Sequence, residues 1–291
     1  MADYSYRDTV SLTDKDATRS VYRTDEHLKA KYEVMRRYGV QQEPLEDWVI
    51  RHLGLTGSET VLDIGCGEGR FLLPMARLLK GRGEIVGGDL SEGVMAGMQA
   101  VISAEHLPVH LVVADAEALP FKPEQFDLVM ANHMLYHVNI PQALSEVERV
   151  LKPAGTFLAT TNSQYGMPVL GTLHMQTMNR LGIVYDAEEN EPFSLENGQE
   201  QLHRVFANVD LLTYEAGFRV KEPEPVLQYY MATQLYQRPS QEPGIPQAVR
   251  EAITPTFTQL TQAMIDQAGA SLLVSKPVGA FLCRKGDKGR H

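Results

Sequence analysis

Cysteine is nearly absent. Cys66 and Cys283 supply neither the paired spacing of a zinc site nor the framework of a disulfide-rich secreted domain. No apolar run is long enough to span a bilayer, and the opening MADYSYRDTV lacks the hydrophobic stretch of a signal peptide. These absences point to a cytoplasmic protein with no membrane partner. Basic charge is also scarce: 27 Lys and Arg face 37 Asp and Glu, a net charge of −10. A nucleic-acid binder offers a basic surface that displaces phosphate counterions, and the only basic cluster here is a short, glycine-broken tail at 285–290. Nucleic acid is therefore disfavoured as a partner. There is no internal repeat and no low-complexity segment.

What remains is an ordinary globular composition, 43% hydrophobic and 22% charged, in a chain of 291 residues. That length accommodates one large α/β domain with a cap, or two small domains. The organising stretch is VLDIGCGEGRF at 61–71. A short apolar run is followed by three alternating glycines (Gly65, Gly67, Gly69), and a helix-period segment then starts at Arg70, with Phe71, Leu72, Met75, Leu78 and Leu79 as its apolar positions. A strand, a glycine turn and a helix N-terminus bring backbone N–H groups against a ligand, because glycine has no Cβ to block approach. A dinucleotide fingerprint, G-x-G-x-x-G, would need glycine where Arg70 stands, and no Gly-Lys-Ser/Thr follows to make a phosphate loop.

Asp63, Gly65, Gly67 and Gly69 resemble the D-x-G-x-G-x-G motif of the class I S-adenosylmethionine (SAM)-dependent methyltransferases, with Cys66 inside the turn. From residue 60 strands and helices alternate, which predicts parallel strands at 60–64, 84–88, 109–114, 126–131 and 156–161. Asp89-Leu90 ends the second, about twenty residues beyond the glycine turn, where a carboxylate accepts ribose hydroxyls. Asp89 also suits a helix N-cap, a place Ser91 fills equally well. The resemblance implies that Asp115 and Ala116, after the third strand, meet the adenine, although a turn aspartate bonding local N–H groups has the same sequence. It also sets Asn132, after the fourth strand, beside the methionine part of the cofactor, through its backbone. ERVLKPAGTFLATT looks like the family's "RvLKPGG" helix-to-strand turn, with Ala154 in place of the first glycine.

The resemblance implies a Rossmann-like, doubly wound, seven-stranded α/β sheet with the last strand antiparallel. Helices are expected from the N-terminal segment and two insertions. Residues 1–55 are read as a helical extension or lid bearing Tyr22 and Arg23, and 56–161 as the SAM-binding core. Residues 162–206 form a helical cap insertion, and 207–291 hold the last strands (209–214, with 218–220 after a turn, and 278–283) around a second helical insertion at about 223–270. Connections leaving the carboxyl ends of strands lie over the ligand crevice, and long ones in compact domains are usually functional or disordered.

The implied activity is methyl transfer from SAM to an N or O atom of a small-molecule metabolite. Carbon methylation of a quinone or isoprenoid precursor is the alternative within the class; a non-catalytic SAM sensor or scaffold is the alternative outside it. Exocyclic-amine methylation of the Asn/Asp-Pro-Pro-Tyr/Phe type is disfavoured, because the chain reads Asn132-His133-Met134-Leu135. Cytosine C5 chemistry lacks a suitably placed cysteine, and no carboxylate or histidine spacing suggests a metal. His133 and His137 stand four apart beyond the fourth strand and, on a helix, would share a face as base candidates. The pattern is compatible with a monomer or a homodimer.

Overall fold

The computed structural model describes residues 4–7, 25–41, 43–186, 192–269 and 271–286. A short strand β1 (Tyr4–Arg7) precedes helices α1 (Asp25–Tyr38) and α2 (Leu45–His52). The alternating part follows: β2 (Thr60–Ile64), α3 (Leu72–Leu79), β3 (Glu84–Asp89), α4 (Glu92–Met95), α5 (Gln99–Glu105), β4 (Val109–Val113), β5 (Phe126–Asn132), α6 (Ile140–Val150) and β6 (Leu151–Asn162). Then come α7 (Pro168–Arg180), β7 (Ile183–Asp186), α8 (Gly198–His203) and β8 (Asn208–Val220). Four helices, α9 (Glu224–Met231), α10 (Gln234–Gln241), α11 (Gln247–Glu251) and α12 (Ile253–Gln267), lead into β9 (Leu272–Arg284).

Seven strands form one sheet in the order β4-β3-β2-β5-β6-β9-β8. Strands β2 to β6 pair in parallel, and β9 inserts antiparallel between β6 and β8. This is the doubly wound, seven-stranded sheet with its last strand antiparallel that the resemblance implies. The period-two alternation sorts the side chains onto two faces. Leu62, Val129, Phe157 and Phe281 pack with Leu144 and Val147 of α6 on one face, and Val61, Met130, Leu158 and Val278 pack with Val49 of α2 and Met75 of α3 on the other. Each such side chain taken from water contributes about 1.5–3 kcal/mol. A third core joins Val34 of α1, Leu173 of α7, Phe218 of β8, Tyr230 of α9, Phe257 of α12 and Val274 of β9. Within it the rings of Tyr230 and Phe257 stack at 3.9 Å.

The strands that carry this third core are longer than the sequence suggests. β8 runs unbroken through Ala216-Gly217, where a turn was expected: a Cβ on Gly217 would lie 2.5 Å from the Val274 carbonyl oxygen, so the glycine allows β9 to approach closely. β9 begins at Leu272 rather than 278, and residues 215–220 pair with 272–277 past the point where Asn162 of β6 meets Val278. This two-stranded extension holds the helical cap beyond the carboxyl edge of the sheet. β6 likewise starts at Leu151, and Ala154 within it takes a left-handed φ of 60°. β1 pairs in parallel with β7, so the N-terminal segment is tied to the insertion after β6.

Candidate cofactor and acceptor site

Three side chains form a row across the carboxyl ends of β2, β5 and β6. The Asn132 amide donates to Asp63 Oδ1 at 3.0 Å, and the Thr160 hydroxyl donates to Asn132 Oδ1 at 3.2 Å. Register explains the row, because Asn132 lies opposite Thr160 in the parallel β5–β6 ladder and their side chains leave the same face. Asp63 is 1% exposed. Burial pushes its carboxyl up to about 7; the Asn132 hydrogen bond opposes the rise and Asp89 adds to it.

The glycine turn is held by Gly65 and Cys66, whose N–H groups both donate to the Gly88 carbonyl, at 2.7 and 3.1 Å. All three glycines have positive φ, of 66°, 52° and 84°. Their surroundings differ. A Cβ on Gly65 would lie 2.9 Å from Met134 Cβ and one on Gly69 2.1 Å from Met98 Sδ, whereas a Cβ on Gly67 would meet nothing within 4 Å. Gly65 and Gly69 therefore serve packing, and Gly67 leaves an open cradle. The Gly67 N–H donates to Asp89 Oδ2 at 3.0 Å and the Ser91 N–H to Asp89 Oδ1 at 2.9 Å. Asp89 thus locks the turn against β3, and each oxygen keeps lone-pair capacity for a hydroxyl, since a carboxylate offers about four acceptor positions. Leu90 follows, half-buried.

Asp115 Oδ1 accepts the Glu117 N–H at 3.0 Å, the local turn bond that was the alternative reading of this residue, and Ala116 is buried in the core. Cys66 is buried too; burial foremost, then Asp63 and Asp89, push its thiol up, so it stays protonated and serves packing. Asp63, Gly65, Cys66, Gly67, Asp89, Leu90, Asp115, Ala116 and Asn132 all fall at the carboxyl ends of four neighbouring strands, β2 to β5.

The two histidines are arranged differently from the expectation. His133 takes a left-handed φ of 52° and donates its N–H to the Thr160 carbonyl at 3.0 Å, and only a single 3-10 turn, Leu135–His137, follows. The α-helix that would align both rings is not formed. Burial, with Lys276 and Arg70 adding, lowers the His133 imidazole to about 3. That environment holds it neutral and weakly basic, which moves a base role away from His133. The His137 ring lies against Tyr136 at 4.5 Å between centroids. Tyr22 and Arg23 lie outside the described residues.

Several participants escaped the sequence reading. Thr160 closes the polar row; its signal was a hydroxyl directly after the apolar run Phe157-Leu158-Ala159. Arg70 bonds Glu46 at 3.0 Å, and its guanidinium lies 5.5 Å from the Tyr32 ring centroid and 5.6 Å from that of Phe71, joining α1 and α2 to the start of α3. Tyr214 of β8 donates to the Glu43 carbonyl at 2.6 Å and packs on Trp48 at 5.3 Å. The helices of 25–52 are thereby fastened over the sheet face that carries Asp63 and Asn132. Among the described residues no group of acidic, histidine or cysteine side chains is arranged to hold a metal, and no helix is long and apolar enough to cross a membrane.

Open sheet, strand-end carboxylates (Asp63 among them buried) and glycine cradle together point to a class. A family model described as a methyltransferase domain matches residues 62–159. Over those residues the chain carries a SAM-dependent methyltransferase domain, and SAM is its cofactor. A demethylmenaquinone methyltransferase of Staphylococcus aureus is 28% identical, with 66% of this chain and 85% of that protein covered. In structure the chain is similar to Haemonchus contortus phosphoethanolamine N-methyltransferase 2 in complex with phosphomonomethylethanolamine and S-adenosylhomocysteine (TM-score 0.56, 19% identity, 95% of this chain and 60% of that one). It is also similar to the [4+2]-cyclase SpnF (TM-score 0.56, 18% identity, 98% and 99%). Both structural likenesses describe the fold.

Proposed function

We propose that the chain methylates an N or O atom of a small-molecule acceptor, held between the carboxyl edge of the sheet and the helical cap. In this reading residues 1–55 act as a lid and 162–206 and 223–270 as cap insertions, while 56–161 hold the cofactor. The observation that carries the reading is the open cradle at Gly67 beside Asp89, since a ligand can approach there while Gly65 and Gly69 are packed against Met134 and Met98. Asp89 would take the ribose hydroxyls, Asp115 and Ala116 the adenine, and the Asp63–Asn132 pair would lie beside the methionine end.

When bound, SAM supplies a methyl group already activated by its sulfonium. The chain contributes alignment and exclusion of water by the cap helices, which is most of what such a displacement needs. The similarity to a demethylmenaquinone methyltransferase favours carbon methylation of a quinone precursor as the second reading. Calorimetry with SAM and NAD, followed by transfer of a tritiated methyl from SAM into fractions of a metabolite extract, tests the proposal. Tight SAM binding with no label in any small molecule would leave a sensor or scaffold. The likeness to a cyclase makes this test necessary, because the same fold serves other reactions.

A further inference from the structure

On β9, Val274 packs into the cap core and Val278 into the sheet core. Lys276 lies between them, and the period of two sends its side chain to the same face, into the seam where the two cores meet. Its neighbour across the ladder is Ala216, too small to fill that seam. Helix α1 roofs it: Val34 is buried in the cap core and Met35 packs against both cores. Lys31, three and four residues earlier, shares their face. Lys31, Arg70 and His133 all stand close enough to Lys276 for charge to be felt between them. Since His133 directly follows Asn132 and bonds the Thr160 carbonyl, Lys276 stands near the polar edge of Asn132 and Thr160.

The two ammonium groups lack the partners that several other cations of the chain have. Arg149 is paired with Glu146, Lys152 with Asp127 and Arg70 with Glu46, and Lys285 donates to the carbonyls of Glu148 and Leu151. Among the described residues Lys31 and Lys276 have no ion-pair or hydrogen-bond partner. An unpaired charge taken from water is costly unless something compensates it, and this chain carries a net charge of −10. Burial lowers both lysines, Lys276 to about 8 with Lys31 and Arg70 adding, so Lys276 is still largely charged at neutral pH. A sulfonium at the neighbouring cofactor site adds one more positive charge.

We propose that this seam is an anion subsite in which Lys276 and Lys31 receive an acidic oxygen group, carboxylate or phosphate, of the methyl acceptor. The proposal rests on the methyltransferase reading and narrows its acceptor to organic anions; an ammonium acceptor without an acidic group is repelled. The probes are 2-naphthoate, 2-naphthyl phosphate and the neutral 2-naphthamide, each titrated into the full chain saturated with S-adenosylhomocysteine. At least one anion should bind roughly tenfold or more tightly than the amide, as expected for a hydrogen bond to a charged group. Which anion leads assigns the source of the acidic group. Lys276→Met should abolish the preference and Lys276→Arg should keep it, with Lys31→Met reducing it. Affinity for S-adenosylhomocysteine, measured in the same variants, should stay within a few fold. Equal binding of the three probes, no binding of any, or a preference that survives both Met variants would overturn the subsite. Failure of the wild-type chain to bind S-adenosylhomocysteine would instead overturn the methyltransferase reading, and the two results are separately visible.

Discussion

The Asn132 amide reaches the Asp63 carboxylate at 3.0 Å across two parallel strands, and this bond holds an acid that burial has pushed up to about 7. The folded chain therefore keeps a proton on Asp63 that the unfolded chain releases near 3.8. By linkage, the stabilisation from that proton is complete below the unfolded value and disappears as pH rises through the folded one. Asp63→Asn abolishes the titration while retaining an oxygen to accept from Asn132. Relative to wild type, the variant should gain melting temperature between about pH 4 and about pH 7, the window set by the two values. A difference that stays flat over that range would show that Asp63 is ionised throughout.

Asp89 binds the glycine turn and β3 together through Gly67 and Ser91. Asp89→Ala should weaken SAM binding by at least roughly ten- to a hundredfold, since even one hydrogen bond to a charged group contributes about 1.5–3 kcal/mol. Calorimetry giving an unchanged affinity would remove Asp89 from the cofactor site.

The glycines separate packing from ligand contact. Gly67→Ala should fold at a cost of about 1–2 kcal/mol for the left-handed backbone, while losing SAM affinity because its methyl enters the open cradle. Gly69→Ala should lose more stability, because its Cβ would meet Met98 Sδ at 2.1 Å and Leu73 Cγ at 3.1 Å. Chemical denaturation and calorimetry on both variants check the ordering, and equal stability losses with equal affinities would refute it.

Much of this site was legible in the chain because its signals are local. A strand, three glycines and a helix within 61–71, followed by acids at strand ends, are properties of neighbouring residues. Lys276 was not legible for the opposite reason. Its setting depends on β9 starting at Leu272, on Ala216 lying opposite and on α1 crossing above. A lysine in SLLVSKPVGAF was the available signal, but placing the strand at 278 left it in a loop. The Ala216-Gly217 pair misled in the same way: glycine was taken for a turn, when it serves close strand approach.

Ala154, in the position where the resembling family has glycine, keeps the left-handed conformation at φ 60°. Ala154→Gly relieves about 1–2 kcal/mol of backbone strain. Glycine costs about 0.5–1 kcal/mol more entropy on folding. The net should be a stabilisation of roughly 0.5–1 kcal/mol, read as a higher denaturant midpoint with an unchanged slope. A lower midpoint would mean that the Ala154 methyl makes contacts that outweigh its strain.

His133 carries the last prediction. With its imidazole lowered to about 3 from an ordinary 6.5, it is neutral across the physiological range, and a proton acceptor that weak is poorly matched to a reaction near neutrality. Asparagine tolerates the left-handed backbone, so His133→Asn removes the ring while keeping the turn at φ 52°. Turnover should stay within a few fold, and the pH–rate profile between about pH 5 and pH 8 should keep its shape, since the group does not titrate there. Stability supplies an independent reading. A depressed histidine contributes stability that is complete above its unfolded value and is lost as pH falls toward its folded one, here from 6.5 toward about 3. The variant lacks that loss, so relative to wild type it should gain stability as the solution is acidified through this window. A drop in turnover of about 10²–10⁴-fold, with SAM affinity intact, would instead establish His133 as the base. The same substitution at His137 then distinguishes a base in the 3-10 turn from catalysis by alignment alone.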